Sequence, residues 1–320
     1  MEIQFLGTSA GMPTKQRNVS ATAIRRANSK SWYLVDCGEA TQHRLLHTSL
    51  SLHNLEGVFI THMHGDHCYG LPGLLATASM SGRKAPLTIV GPRQLRLFLE
   101  ATMASTDMNP GFPIEYVRLE DMAGRLAVGE FDVEAVELSH RIPSWAFGFY
   151  ETPAHRKLDI DRLEQHGVKP GPEWGQIQKG EDVVLADGRL IRSEDYLLKP
   201  SKPRKIIIAG DNDMPERLME SATSANVLVH EATYTQARAD KVGNKPQHSS
   251  AKMIASFAER AAVPNLILTH ISPRYQRPGT AAETLDELEG EARQFFSGSL
   301  FLANDFDRYQ LSHSGELEKL

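Results

Sequence analysis

Three histidines and an aspartate fall within six consecutive positions early in the chain. They lie in THMHGDHCYG, residues 61–70, which follows the strand-like run GVFI and precedes a helical pattern that begins at Leu71. Imidazole and carboxylate are the ligands that Zn²⁺ and similar divalent ions accept. One histidine at a strand end is usually structural, but this H-x-H-x-D-H spacing predicts a metal site. The predicted ligands in this segment are His62, His64, Asp66 and His67.

Three further polar residues close other strand-like runs. His140 ends FDVEAVELSH, Asp211 ends KIIIAGD and His270 ends LILTH. Each of the three, taken alone, is compatible with a structural role. Because one edge of a sheet must supply all the ligands of a single site, their shared position favours the metal interpretation.

Seven ligands are too many for one tetrahedral zinc ion, but they suit two ions that share a bridging carboxylate. A hydroxide held between the ions would be the nucleophile, since metal binding lowers the pKa of water to about 7. The predicted division is one ion held by His62, His64 and His140, a second held by Asp66, His67 and His270, and a bridge formed by Asp211.

The remaining sequence predicts an α/β chain with mixed or paired sheets. Strand-like runs such as EIQFL and NVLVHE alternate with helical patterns such as SSAKMIASFAERAA, and few helices separate the early strands. Residues 152–204 are rich in proline, glycine and charge and interrupt this pattern. We predict one domain over 1–320 with an insertion at 152–204; the alternative is a long irregular surface loop.

Composition narrows the class of protein. Of the 320 residues, 41% are hydrophobic, and no run of about eighteen apolar residues predicts a membrane span. The opening MEIQFLGTSAG is typical of a first strand and lacks the pattern of a signal peptide. Two cysteines predict no disulfide framework, so we expect a reducing, cytoplasmic location. The net charge of −5 argues against a nucleic-acid partner, although local basic clusters can coexist with it.

The order of these motifs resembles the metallo-β-lactamase superfamily and, within it, the ribonuclease Z family, endonucleases that remove the 3′ trailer from precursor tRNA. The resemblance runs nearly from end to end of the chain. The matching segments are FLGTSAGMPTKQRN (5–18), DCGEATQHRLL (36–46), VHEAT (229–233), HSS (248–250), THISPRY (269–275) and ANDF (303–306).

This resemblance implies an αββα sandwich with an inserted tRNA-binding arm, whose tip is GVKPGPEWGQIQKG with Gly171 and Pro172. It also implies two Zn²⁺ ions per subunit, for which Mn²⁺ or Fe²⁺ could substitute, and a homodimer that acts on precursor tRNA. Asn212 stands where the family often has threonine. The segment RIPSWAFGF after His140 differs from the corresponding segment of well-known family members. Neither departure changes a predicted ligand.

The resemblance also implies roles for individual residues. Asp66 would accept a proton from the attacking water besides ligating an ion, and a ligand-only role is the alternative. His248 would protonate the leaving oxygen while Glu231 orients its ring; without the resemblance, His248 reads as a surface histidine beside a helix N-cap. The residues expected to contact RNA are Lys15, Arg17, Asn18 and Arg274, besides Gly171 and Pro172 of the arm.

Two other functions remain open at this stage. One is hydrolysis of a small ester or phosphodiester on the same fold, which would not need an arm. The other is a non-catalytic metal-binding or RNA-binding module, which would not be expected to keep all seven ligands together with His248 and Glu231.

Overall fold

The fold comes from a computed structural model that describes residues 1–152, 158–198, 203–276 and 283–320. The chain forms two compact units, one of Met1–Tyr150 with Arg204–Leu320 and one of Glu151–Pro203. These boundaries lie one residue from each end of the insertion predicted from composition. Among the described residues, no helix is long and apolar enough to cross a membrane.

Strands and helices follow one another along the chain as the sequence patterns indicate. The strands are β1 (Glu2–Gly7), β2 (Ala21–Arg25), β3 (Trp32–Val35), β4 (Leu55–Phe59), β5 (Leu87–Gly91), β6 (Ile114–Arg118), β7 (Leu126–Val128), β8 (Phe131–Glu137), β9 (Trp145–Glu151), β10 (Val183–Val184), β11 (Leu190–Ile191), β12 (Lys205–Ala209), β13 (Val227–Glu231), β14 (Asn265–Thr269), β15 (Tyr275–Gln276), β16 (Glu283–Thr284), β17 (Ser299–Leu302), β18 (Arg308–Leu311) and β19 (Leu317–Lys319). The α-helices are α1 (Thr41–Leu45), α2 (Gly65–Cys68), α3 (Leu71–Met80), α4 (Arg93–Thr106), α5 (Ile160–Gln165), α6 (Pro172–Gln178), α7 (Met219–Ala222), α8 (Gln236–Val242), α9 (Ala251–Arg260) and α10 (Leu285–Arg293).

The larger unit contains two mixed sheets. In the first, the strand order is β19-β18-β1-β2-β3-β4-β5-β6, and the pairs from β3 to β6 are parallel. In the second, the order is β17-β14-β13-β12-β9-β8-β7, and the pairs from β12 to β17 are parallel. Parallel strands share one carboxyl edge, so residues that follow them are brought together.

Alternation along the buried strands separates an inner core from two outer layers. On β12, Ile206 and Ile208 pack between the sheets, whereas Ile207 packs among the residues of α9 and α10. On β4, Phe59 faces inward and meets Phe147 of the other sheet with ring centroids 5.3 Å apart. Val58 faces the residues of α3 and α4 on the outer side. This αββα arrangement confirms the predicted fold class.

The smaller unit has its own apolar cluster. Leu163 of α5 and Ile177 of α6 pack with Val183 of β10 and Ile191 of β11, which form a short antiparallel hairpin. Trp174 donates from its indole N–H to the carbonyl of Val168 at 3.2 Å. These contacts give the described residues of the smaller unit an apolar cluster of their own.

Candidate metal centre and active site

The predicted ligands follow strands at the carboxyl edges of the two sheets. His62 lies three residues after β4, Asp211 two residues after β12, and His270 directly after β14. Gly210 lets the backbone after β12 pass close to Thr61 and Ser144. A Cβ at this position would lie 2.6 Å from Thr61 Cβ and 2.8 Å from Ser144 Oγ. Asp66 and His67 lie in the short helix α2, which turns them back toward the strand ends.

One group of ligand atoms forms around His64. Its Nδ1 lies 3.1 Å from His62 Nε2 and 3.1 Å from His140 Nε2. Asp211 Oδ2 lies 3.6 Å from each of those two Nε2 atoms. These four residues therefore present four ligand atoms to one point.

A second group forms around the Nε2 atoms of His67 and His270, which are 3.2 Å apart. Asp66 Oδ2 lies 3.4 Å from the first and 3.3 Å from the second. Asp211 Oδ1 lies 3.4 Å from His67 Nε2 and 3.3 Å from His270 Nε2. The two oxygens of Asp211 thus face the two groups, one oxygen to each.

The donor set fits divalent ions. Ligand atoms about 2.0–2.1 Å from a tetrahedral ion lie roughly 3.3–3.4 Å from one another. The separations within both groups, 3.1–3.6 Å, bracket that value. A set of five imidazoles and two carboxylates is also the chemistry that zinc and similar ions accept.

Protonation states suit the same purpose. Burial lowers the pKa of His62 and His140 and lowers that of His64 to about 4, so these imidazoles keep a free lone pair. Burial alone would raise the pKa of Asp211, but the surrounding histidines outweigh it and hold that pKa far below its ordinary value. The first group therefore offers neutral nitrogens and an ionised carboxylate. In the second group, burial opposes protonation of His67, but the carboxylates of Asp66, Asp211 and Asp36 outweigh it and raise its pKa, so an ion bound there would displace that proton.

Most ligand imidazoles are held from behind by a hydrogen-bonding partner on the other ring nitrogen. His67 Nδ1 lies 2.7 Å from Asp36 Oδ2, and His62 Nδ1 lies 3.0 Å from Thr61 Oγ1. His140 Nδ1 lies 2.9 Å from the carbonyl oxygen of Gln247. Such partners fix the tautomer and the orientation of a ligand imidazole.

Asp36 and Thr61 were missed by the sequence analysis. Asp36 directly follows β3, so the criterion that selected Asp211 and His270 also applies to it. Its Oδ1 accepts from the backbone N–H of Thr61 at 2.8 Å, which leaves Oδ2 for His67. Asp36 thus supports a ligand instead of facing the cluster.

His248 and Glu231 form a pair beside the ligands. His248 Nδ1 lies 3.0 Å from Glu231 Oε2 and 3.7 Å from Asp211 Oδ2. Burial opposes protonation of His248, but the Glu231 carboxylate outweighs it and raises the pKa of the imidazole to about 9. Because Nδ1 is engaged, Nε2 is the nitrogen left to meet a substrate.

Glu231 is itself fixed by neighbours. The backbone N–H of Asn212 donates to Glu231 Oε1 at 2.7 Å, and the Thr233 hydroxyl donates to Oε2. The Asn212 side chain instead contacts His230 Nε2 at 3.1 Å. The departure from threonine at Asn212 therefore leaves the bond to Glu231 intact, since that bond comes from the backbone.

Arg17, which is predicted to contact RNA, also has a structural role in the fold. The residue is buried, and Nη1 donates at 2.6 Å to both Thr8 Oγ1 and the carbonyl of Ala303. Nη2 donates to Asn304 Oδ1 at 2.8 Å. Internal hydrogen bonds thus occupy the guanidinium, and the sequence of the loop does not distinguish this use from phosphate binding.

The loop that Arg17 anchors reaches the metal centre. The backbone N–H of Gly11 donates to Asp66 Oδ2 at 2.8 Å, and that of Ala10 donates to the carbonyl of Ile271 at 3.0 Å. Gly11 has a φ of 71°, a left-handed conformation that favours glycine. The loop therefore touches one predicted ligand and the neighbour of another.

The other predicted RNA contacts fall into three situations. Asn18 is buried and donates from its side chain to the carbonyl of Glu39 at 2.8 Å, so it too is used internally. Lys15 and Arg274 are exposed. Gly171 and Pro172 lie at the start of α6 in the smaller unit.

The same fold occurs in solved structures of other proteins. A crystal structure of a metallo-β-lactamase fold protein from Bacillus subtilis superposes with a TM-score of 0.65 at 17% identity, covering 96% of this chain and 97% of that one. Two sheets, outer helices and a histidine–aspartate cluster at the sheet edges thus define a protein of the metallo-β-lactamase fold.

Closer relatives identify the family. The chain is 48% identical to Ribonuclease Z of Marinobacter nauticus over 100% of this chain and 99% of that protein. The crystal structure of human tRNase Z, short form, has a TM-score of 0.66 at 27% identity, covering 98% of this chain and 100% of that one. The chain belongs to the ribonuclease Z family, which confirms the resemblance inferred from its motifs.

A family profile described as Anti-Pycsar protein Apyc1 also matches, over residues 1–144. This match covers less than half of the chain and ends before Asp211, Glu231, His248 and His270. It shows that the first half is shared with another group of proteins, whereas the full-length similarity is to ribonuclease Z.

Proposed function

We propose that this chain is a two-zinc endoribonuclease that removes the 3′ trailer from precursor tRNA and leaves a 3′-hydroxyl on the tRNA. The observation that carries the proposal is the His248–Glu231 pair beside two groups of ligand atoms, in a chain that belongs to the ribonuclease Z family from end to end. Mn²⁺ or Fe²⁺ could replace Zn²⁺, because the same ligands accept them.

Seven residues would hold the ions. When bound, two such ions supply Lewis acidity that neutralises phosphate charge and lowers the pKa of a water molecule. The residues proposed to hold them are His62, His64, His140 and Asp211 in one group, and Asp66, His67, His270 and Asp211 in the other.

His248 supports the second half of the reaction. Cleavage breaks the bond between phosphorus and O3′, and the departing O3′ needs a proton unless it is already stable as an anion. His248 donates it from Nε2, because Glu231 holds the ring through Nδ1 and keeps it protonated at neutral pH. Glu231 acts through His248 and is a positioning residue in this proposal.

Asp66 has two tasks in the proposal. Its Oδ2 faces His67 and His270 and accepts from Gly11, so that oxygen serves as the ligand. Its Oδ1 then remains to accept a proton from the attacking water. The ligand-only alternative would leave that proton to solvent.

Substrate contacts come from exposed cations and from the smaller unit. We propose that Lys15 and Arg274, which are both exposed, donate to backbone phosphates, for which a cation suffices and no base code is needed. We propose that Glu151–Pro203, with Gly171 and Pro172, forms an arm that binds tRNA by shape, and that the active form is a homodimer. Cys37 and Cys68 are buried free thiols, in keeping with the proposed cytoplasmic location.

A hydrolase of small phosphodiesters is the second candidate, since the two groups of ligand atoms could serve such a substrate as well. Full-length similarity to ribonuclease Z favours precursor tRNA. A non-catalytic module is disfavoured because the ligand groups and the His248–Glu231 pair are all assembled.

One experiment tests the main proposal and the arm together. Purified protein is given 5′-labelled precursor tRNA with and without a chelator, and the cut site and end groups are mapped. A matched variant replaces residues 158–198 with a Gly/Ser linker. We expect the intact enzyme to produce a tRNA with a 3′-hydroxyl only without chelator, and the shortened enzyme to bind tRNA far less tightly while still cleaving a nitrophenyl phosphodiester.

Other outcomes would contradict these proposals. An intact enzyme that cleaves only the small phosphodiester would support the second candidate. A shortened enzyme that binds tRNA as tightly as the intact one, with the same salt dependence, would assign the smaller unit another role.

A further inference from the structure

A cavity of about 260 Å³ opens beside His248 and is not used by the reaction as described so far. It lies within the larger unit. Asp213, the segment after β13 and the segment that leads into α9 surround it. The side chains that matter here are Asp213, Tyr234, Gln236, Asn244, Gln247 and His248. A space of this size is near the lower end of small-molecule pockets and suits a nucleobase with its ribose.

The walls combine an aromatic face with an unsatisfied acceptor. Tyr234 is half-buried, and its ring centroid lies 6.2 Å from that of His248 at an interplanar angle of 75°. Asp213 Oδ1 is buried and has no hydrogen-bond partner among the described residues. A buried acceptor without a partner costs free energy, which a donor from water or from a bound molecule offsets.

The wall that carries His248 is rigid on its protein side. Ser249 donates to the carbonyl of Asn212 at 2.6 Å, and Ser250 caps α9 by accepting from the N–H of Met253 at 3.1 Å. Gln236 is held by the Ser250 hydroxyl at 2.6 Å and by its own bond to Asp240 at 2.8 Å. The cavity therefore has a fixed floor, while Asp213 keeps an unused acceptor.

The chemistry of the cut decides which part of a substrate reaches this cavity. In the proposed reaction the leaving oxygen is O3′ of the nucleoside on the tRNA side of the cut. His248 must come within hydrogen-bond reach of that oxygen to protonate it. His248 also lines the cavity. A nucleoside whose O3′ meets His248 is therefore within one ribose of the cavity.

We propose that this cavity is the binding site for the nucleoside on the tRNA side of the cut. Its base stacks on Tyr234, and one of its N–H or O–H donors bonds to Asp213 Oδ1. Stacking is tolerant of base identity, so the site accepts different bases at this position. The proposal rests on the proposed function, since it takes O3′ as the leaving group.

A thermodynamic cycle between enzyme and substrate tests the stacking. Wild type, Tyr234→Leu and Tyr234→Phe are compared on three precursor tRNAs: the intact one, one with an abasic nucleotide on the tRNA side of the cut, and one with an abasic nucleotide on the trailer side. For wild type and Tyr234→Phe, we expect base removal on the tRNA side to lower kcat/KM by about ten- to a hundredfold. For Tyr234→Leu, we expect the same removal to have little further effect.

The outcomes separate the two levels of the proposal. Equal losses from base removal in wild type and Tyr234→Leu, or coupling to the trailer base instead, would overturn the cavity assignment alone. A wild-type enzyme that cleaves no precursor tRNA would overturn the proposed function, and the cavity assignment with it.

Asp213→Asn tests the hydrogen bond. We expect a loss of about five- to tenfold in kcat/KM on intact precursor tRNA, with metal content unchanged. Two modified substrates then identify the donor, one with a 2′-deoxy ribose and one with a base that lacks its amino group at the same nucleoside. On the substrate that lacks the donor, wild type and Asp213→Asn should have the same kcat/KM. If Asp213→Asn instead lowers metal content, the residue supports the neighbouring ligand and this part of the proposal is overturned.

Discussion

The metal centre and the cavity beside His248 differ in how their polar groups are used. In the metal centre, the imidazoles of His62, His67 and His140 each have a hydrogen-bonding partner on the nitrogen that does not face the other ligands. In the cavity, Asp213 Oδ1 has no partner among the described residues. A reacting centre must hold its atoms fixed, whereas a site for a variable nucleoside must leave bonding capacity unused.

Asp211→Ala should have the largest effect, because one side chain serves both groups of ligands. We expect loss of tightly bound metal and of precursor tRNA cleavage together, by more than about a thousandfold in kcat/KM. Elemental analysis and cleavage assays check this, with His53→Ala, an exposed histidine, as the matched control. Two tightly bound ions per chain in Asp211→Ala would rule out the bridge.

His248→Ala comes next and separates the proton donor from the ligands. We expect kcat on precursor tRNA to fall by roughly 10²–10⁴-fold, with metal content unchanged. A nitrophenyl phosphodiester should lose much less, because its leaving group needs no proton. Equal losses on both substrates would contradict the acid role, and a loss of metal would make His248 a ligand instead.

Asp36→Asn should have a smaller effect, because Asp36 supports a ligand imidazole and is not itself a proposed ligand. The variant keeps the shape of the side chain but removes the charge that faces His67, so metal affinity should fall by about 10–100-fold. A competition titration against a chelating dye measures this. Asp107→Asn, at an exposed left-handed position that asparagine tolerates, is the control. Unchanged affinity in Asp36→Asn would mean that the hydrogen bond does not support the ligand.

Arg17→Lys should have the smallest effect and decides what the loop before β2 does. If the guanidinium positions the loop that touches Asp66, kcat should fall by the same factor, about two- to tenfold, on precursor tRNA and on a nitrophenyl phosphodiester. Lys15→Gln should instead spare the small substrate and reduce the salt dependence of tRNA binding. A loss confined to tRNA in Arg17→Lys would restore the predicted RNA contact.

The clustering of His62, Asp211 and His270 was predictable, because buried runs end at these residues and such ends meet at sheet edges. The family and the αββα fold were predictable only from the resemblance of the ordered motifs to a known family. Asp36 also follows a strand. The sequence does not indicate whether such a carboxylate joins the ligand atoms or bonds to the outer nitrogen of a ligand imidazole. The RNA contact of Arg17 was predicted from the family resemblance. The burial of its guanidinium was not predictable, because it depends on contacts with residues 303 and 304, far along the chain.

The cavity could not be predicted from the sequence, for a related reason. Its walls come from three separated segments. The motif HSS contributes His248, but no pattern brings the other two segments beside it, and the oxygen of Asp213 that lacks a partner has no sequence signal. Periodicity predicts where side chains are buried, but not which of them remain without a partner.

The long-range bonds around Arg17 and the ligands bear on the synthesis of the protein. His67 and His270 are 203 positions apart, and Asn18 bonds to Asp305 across 287. A nascent chain that has not reached residue 270 lacks the last ligand, and one that has not reached residue 305 lacks the segment that anchors the first loop. The cutting centre can therefore assemble only when almost all of these residues have been made, so that unfinished copies carry no complete nuclease site while they are surrounded by RNA.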